Sequence, residues 1–168
     1  MSTVISGFSA LVRAIDRVCQ SMVACLVVVM VAVVFAQVVF RYALVRPIYW
    51  GDELSRYLFV WISFVGAAVA MGSRLHYGFD YLTEKCPPPV RRSISLLMTL
   101  LAVGFFMACL VYGCESIRVV SVQRSPSLQI PMGWVYMALP VGSALMLLHL
   151  IEQTLVQPKQ NAPALGFE

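Results

Sequence analysis

Polar residues in this chain gather into short clusters that separate four long apolar runs. Residues 22–40 are interrupted only by Gln37, residues 57–72 follow a polar lead-in containing Trp50, and residues 94–114 and 132–150 form the third and fourth runs. Crossing roughly 30 Å of hydrocarbon takes about 20 helical residues, and ~17 suffice where flanking side chains snorkel. Lipid offers backbone N–H and C=O groups no partner, so a spanning segment is a helix or a strand of a closed barrel. Barrel strands would carry a polar residue at every second position, and these runs do not. The pattern predicts an all-α integral membrane protein with four transmembrane helices.

Composition adds that little is left for a second, water-soluble domain: 60% of the residues are hydrophobic and 12% charged, against about 25% charged in ordinary soluble domains. The first run resembles a secretory leader, with Arg13 and Arg17 before it and Val34-Phe35-Ala36 as a small-residue site. Its apolar stretch is longer than the ~7 to 15 residues of a leader's hydrophobic region, so a retained span is expected.

Charge then orients the spans. With four crossings, Arg13, Arg17, Arg74, Lys85, Arg91, Arg92 and Lys159 share one side, and Arg41, Arg46, Arg56, Arg118 and Arg124 the other, seven cations against five. Cations in short loops stay in the cytoplasm, which places both termini there. The organisation expected is a cytoplasmic amino-terminal segment over 1–21, a membrane domain over 22–150 and a cytoplasmic tail over 151–168. The net charge of +4 does not point to nucleic acid, because these cations flank spans and form no single basic face. Membrane lipid is the expected neighbour.

The inner loop, residues 73–93, combines His76, Tyr77, Phe79 and Tyr81 with Asp80, Glu84 and Lys85 before Pro87, Pro88 and Pro89. Aromatics suit the headgroup layer, so a short interfacial turn or helix fits between the second and third spans. Proline is tolerated in a first helical turn, so the third span should begin near Pro89, anchored by Arg91 and Arg92. On the outer side, Ser125-Pro126-Ser127 makes a turn before Leu128, Ile130 and Pro131. That loop is either a docking surface or a simple connector.

At ~100° per residue the second helix places Asp52, Arg56, Phe59, Ser63, Gly66, Ala67 and Ala70 within one arc of about 100°. Membrane helices associate through small residues and polar contacts, so this face should be buried in protein. Gly104 and Ala108 mark a second seam on the third helix, and Pro140 with Gly142 should bend the fourth. Asp52, Glu53 and Arg56 open the second helix; they either pair with each other along the helix or fix a subunit contact.

Candidate chemistry changes the picture little. Cys19, Cys25, Cys86, Cys109 and Cys114 contain no C-x-x-C pair, and the i, i+5 spacing of Cys109 and Cys114 turns their side chains about 140° apart, so free buried thiols are expected. His76 and His149 both fall at the inner boundary, where hydrogen-bonded interfacial histidine is a simpler reading than a haem clamp. With no ionisable residue at mid-membrane, a self-sufficient ion-coupled carrier is disfavoured.

One constellation goes further. Trp50-Gly51-Asp52-Glu53, Arg56, Trp61, Gly66-Ala67-Ala68, Ala70, His76 and Asp80, then Ser127-Leu128-Gln129-Ile130-Pro131, Tyr136 and Ala138-Leu139-Pro140-Val141-Gly142, occur in this order within four spans. The chain thereby resembles the small, DctQ-like membrane subunit of tripartite ATP-independent periplasmic (TRAP) transporters. The resemblance implies a non-catalytic scaffold in the bacterial inner membrane. Its partners would be a large elevator-type subunit carrying the substrate and sodium sites, and a periplasmic substrate-binding protein delivering an organic acid. It implies no cofactor on this chain. Trp50, Asp52, Glu53, Arg56, Ser63, Gly66, Ala67, Ala70, Gly104 and Ala108 become the expected bundle-packing or subunit-interface residues. Arg124, Ser127, Leu128 and Ile130 become a periplasmic docking loop, and His76, Asp80, Arg91 and Arg92 a cytoplasmic interfacial loop. The alternative from another class is a stand-alone small proton-coupled carrier using Glu53.

Overall fold

The computed structural model of the chain describes residues 2–46, 48–72 and 88–156. The expected interfacial turn, with His76, Asp80 and Cys86, and the tail over 157–168 lie outside the described residues, as do the side chains of Arg91 and Arg92. Five helices run through the described part: α1 (Ser2–Tyr42), α2 (Tyr49–Gly72), α3 (Pro88–Val120), α4 (Gly133–Tyr136) and α5 (Ala138–Val156). Four segments are long and apolar enough to cross a membrane, Gly7–Tyr42, Tyr49–Gly72, Leu96–Val120 and Gly133–Thr154. No strand occurs among the described residues beyond an isolated bridge between Arg124 and Pro131.

Local chemistry sets the ends. Asp52 sits in the first turn of α2, where a carboxylate complements the helix dipole. α3 starts at Pro88, since a proline in the first turn forfeits only an N–H that has no intrahelical partner. α4 and α5 meet at Met137, which keeps helical backbone angles (φ −60°, ψ −23°), one turn before Pro140, whose missing N–H leaves the Tyr136 carbonyl without its i+4 donor. Pro140 thus shows as one missing helical bond in a path that stays helical, with Met137 N–H donating to the Gly133 carbonyl at 3.0 Å and Val141 N–H to that of Met137 at 3.1 Å. α1 is 41 residues long, roughly 60 Å at 1.5 Å per residue. It begins well before the apolar run at residue 22, so the amino-terminal segment is helical and continuous with the first span.

Packing orders the spans in a row. α1 lies beside α2, α2 beside α5 and α5 beside α3, while α1 also reaches α5 and α4 rests on α3. The buried side chains concentrate where α5 meets its neighbours: Val65 and Ala68 from α2, and Ala138, Ser143, Met146, His149 and Leu150 from α5. α1 and α3 form the flanks and expose most of their apolar surface.

The closest approaches use glycines other than those expected. A Cβ on Gly142 would lie 2.7 Å from the Cβ of Phe64, and one on Gly113 would lie 3.0 Å from the Pro140 ring. On Gly51 a Cβ would strike the Gln37 side chain at 2.7 Å, and on Gly72 it would strike His149 and Asp16 at 2.7 and 2.8 Å. Gly66 and Gly104, by contrast, have nothing within 4 Å. The expectation that the Ser63, Gly66 and Ala67 face and the Gly104 seam pack this bundle together is therefore corrected. Each helix is apolar on several faces, and when lipid is as apolar as a core, hydrophobicity does not mark the inward side.

Candidate functional site

Two features meet at the amino-terminal end of α2. The first is the loop over residues 121–132, folded back on itself. Ser125 N–H donates to the Ile130 carbonyl at 3.0 Å, Met132 N–H to that of Gln123 at 2.9 Å, and Ile130 N–H to the Ser125 hydroxyl at 3.3 Å. Gln129 adopts the left-handed backbone region, with φ 55°, which closes the turn, and Arg124 donates to its carbonyl at 3.3 Å. Ser125 is almost wholly buried at the centre of this fold.

Glu53 ties the loop to α2. Its Oε2 accepts from the backbone N–H of Ser127 at 2.9 Å and of Leu128 at 3.3 Å, while its Oε1 accepts from the hydroxyl of Tyr57 one turn along. Tyr57 also lies 3.3 Å from the Met132 sulfur, at the loop's far end. A carboxylate is an acceptor-only group with two oxygens, and here both are committed to donors. Among the described residues no ion pair joins Arg56 to Asp52 or Glu53; the pair within 4 Å is Asp16 with His149, far down the bundle. Pairing within the helix-end cluster is thus replaced by a contact to a loop more than 70 residues away. The spacing of the loop's N–H groups gives no sign of this in the sequence.

The second feature is a face of α2 that no described residue covers. Asp52, Arg56, Phe59, Ser63 and Ala67 are exposed, Gly66 is half-exposed, and Trp50 and Phe59 expose 47% and 61% of their surface. Ala70, farther down, is half-buried. The residues singled out on the helical wheel do share a face, and that face points away from α5. On α3, Gly104 is exposed and Ala108 half-buried, so that seam also looks outward. In the loop over residues 121–132 Arg124 and Ser127 are exposed, and Leu128 and Ile130 are half-buried.

Sequence reasoning missed Asp16, Gln37 and His149. His149 is 2% exposed and its Nε2 lies 3.4 Å from Asp16 Oδ1. It is a buried inter-helix contact, where an interfacial histidine was expected. Gln37 donates to the Ser55 hydroxyl at 2.9 Å, which in turn donates to the Gly51 carbonyl at 2.8 Å. A signal was present for α1: Ser9, Val12, Asp16, Cys19, Val23, Leu26, Met30, Val33 and Gln37 follow an unbroken 3-4 spacing. The four described cysteines are free, with Cys25 and Cys114 exposed, a correction to the expectation of buried thiols. Among the described residues no group of three metal-ligating side chains comes together.

Comparison with known proteins places these features in a lineage. The family described as "Tripartite ATP-independent periplasmic transporters, DctQ component" matches residues 30–159. The sialic acid TRAP transporter small permease protein SiaQ of Vibrio cholerae serotype O1 is 27% identical over 128 residues, covering 76% of this chain and 74% of that protein. The C4-dicarboxylate TRAP transporter small permease protein DctQ of Rhodobacter capsulatus is 33% identical over 107 residues, 61% of this chain and 46% of the relative. The sialic acid TRAP transporter permease protein SiaT of Haemophilus influenzae is 27% identical over 120 residues, 71% of this chain but 20% of that longer protein. The chain thus spans less than half the length of two of these three relatives.

Proposed function

Since the chain belongs to the DctQ family of tripartite ATP-independent periplasmic transporter components, we propose that it is the non-catalytic small membrane subunit of such a transporter and serves as a scaffold for a larger permease subunit. The observation that carries this reading is the uncovered face of α2 from Asp52 to Ala67, where small residues and charges stand outward along a membrane span. In lipid such a face is suited to close van der Waals approach and interhelical hydrogen bonding with another membrane protein. The match of this chain to a fifth of SiaT, and to 16% of the isethionate TRAP transporter permease protein DctMQ of Oleidesulfovibrio alaskensis, supports the same partnership. There the similar segment is part of a much longer permease chain.

In this reading the large partner holds the substrate and sodium sites and moves against the row of helices, which stays still. A periplasmic binding protein delivers an organic acid, and the Glu53-tied loop, with Arg124 and Ser127 outward, offers part of its docking surface. The chain resides in the inner membrane with both termini cytoplasmic. A stand-alone carrier would need Glu53 free to exchange protons with a pathway, whereas the Glu53 oxygens are engaged by Ser127, Leu128 and Tyr57.

The test is co-expression with a large TRAP permease subunit. Gly66→Leu and Ala67→Trp add bulk to the outward face, and at Gly66 a Cβ meets no described residue within 4 Å. Recovery of the large subunit with the tagged small one should fall at least about tenfold, for a lost interface worth ~1.4 kcal/mol or more, while the small subunit's own yield holds. Undiminished complex recovery from both variants would refute the scaffold reading, and solute uptake by the chain reconstituted alone would favour the carrier.

A further inference from the structure

α1 and α2 are antiparallel neighbours, and each carries a seam of 3-4 spacing toward the other. On α1 it runs from Ser9 to Gln37; on α2 it is Gly51, Ser55, Leu58, Ile62, Val65, Val69 and Gly72. Each seam departs from plain aliphatic packing at both ends. At the outer end Gln37 lies over Gly51 and hydrogen-bonds Ser55; at the inner end Asp16 lies over Gly72 and meets His149 of α5. Gln37 and Asp16 are separated by 21 residues (16 to 37), and so are Gly51 and Gly72 (51 to 72). At 1.5 Å per residue that is roughly 31 Å, the thickness of the hydrocarbon layer.

From this match we infer that Asp16 and Gln37 are two glycine-socketed pins that fix the register of α1 against α2, one at each edge of the hydrocarbon. Between the pins the seam is largely aliphatic, and an apolar surface against an apolar solvent sets no unique register by itself. Sliding α1 by one turn would bring Gln37 into lipid without Ser55 and separate Asp16 from His149. It would also drive both polar side chains against positions that carry a Cβ. A single polar residue at a seam position specifies register in coiled helices by the same logic. The inner pin has a second consequence. His149 belongs to α5, so the contact that sets the α1 register also fastens α1 to the fourth span, over the socket at Gly72. Asp16 and Gln37 are positioning residues in this sense. The register is a property of the chain alone, so its failure would leave the subunit reading untouched.

Disulfide trapping in membranes tests it, in a chain whose five native cysteines are alanine. The antiparallel register set by the pins puts Val23 opposite Val65, and slippage puts Val23 opposite Val69 or Ile62. Val23→Cys with Val65→Cys should cross-link at least about threefold more than Val23→Cys with Val69→Cys or Ile62→Cys, the ratio that the one interhelical hydrogen bond from Gln37 to Ser55, at the strength measured in membranes, provides before the polar contact of Asp16 with His149 adds to it. Replacing both pins, Asp16→Leu with Gln37→Leu, should abolish that preference, and Asp16→Asn, which keeps a polar side chain of the same size beside His149, should preserve it. If the pinless chain is not recovered, Gln37→Leu alone should show an intermediate preference. A preference unchanged by loss of the pins, or lost equally in Asp16→Asn, would overturn the inference.

Discussion

Glu53 shows how one side chain can hold a whole loop. Its oxygens receive Ser127 and Leu128 N–H and the Tyr57 hydroxyl, so Glu53→Ala leaves two backbone donors without their acceptor. A lost hydrogen bond of this kind costs about 1–2 kcal/mol locally, and amide exchange across residues 125–131 should quicken by roughly tenfold or more while exchange in the spans is unchanged. Glycines give a second prediction at this scale. Gly142→Leu drives a side chain into Phe64 and should lower bundle stability in detergent by about 1–3 kcal/mol or prevent folding. Gly66→Leu should change stability by no more than about 0.5 kcal/mol, because no described residue stands within 4 Å of a Cβ there.

Along whole elements, the fourth span carries a proline within a path that stays helical through Met137. Pro140 removes one helical donor, and its ring fills the space that Gly113 of α3 leaves open. Pro140→Ala should therefore add one helical bond, with the new amide at position 140 protected from exchange. It should also loosen α3 against α5, with a net stability loss of ~1–2 kcal/mol measured by denaturant unfolding. An unprotected amide there would show that more than the proline keeps the Tyr136 carbonyl from its helical donor. α1 presents the opposite case, an unbroken helix of 41 residues with a single seam.

Across the molecule, the row α1, α2, α5, α3 presents broad faces in place of a closed core. α5 is enclosed by its neighbours, and the flanking helices leave large apolar side chains such as Phe35, Phe105 and Leu100 exposed. A layer of that form offers area to lipid and to a partner, as the proposed scaffold role requires. If both termini are cytoplasmic, as the charge distribution predicts, fusions of a periplasm-active reporter to residue 1 or residue 168 should both be inactive, with one inserted near residue 126 active. Activity at either terminus would reverse the topology.

Legible in the sequence were the membrane, the four helices, the start of α3 at its prolines, the helical bond lost at Pro140 and the family, because bilayer thickness, backbone hydrogen bonding and proline geometry act along the chain one segment at a time. The common face of Asp52, Arg56, Ser63 and Ala67 was legible too, since a helical wheel needs no tertiary information. Only the tertiary structure decided that this face turns outward, that Gly51, Gly72, Gly113 and Gly142 make the close approaches, that Glu53 grips a loop, and that Asp16 and His149 meet. The physical reason is that an apolar solvent removes the contrast between inside and outside on which sequence reading depends. Which face is buried then follows from shape and from a few polar contacts between distant residues.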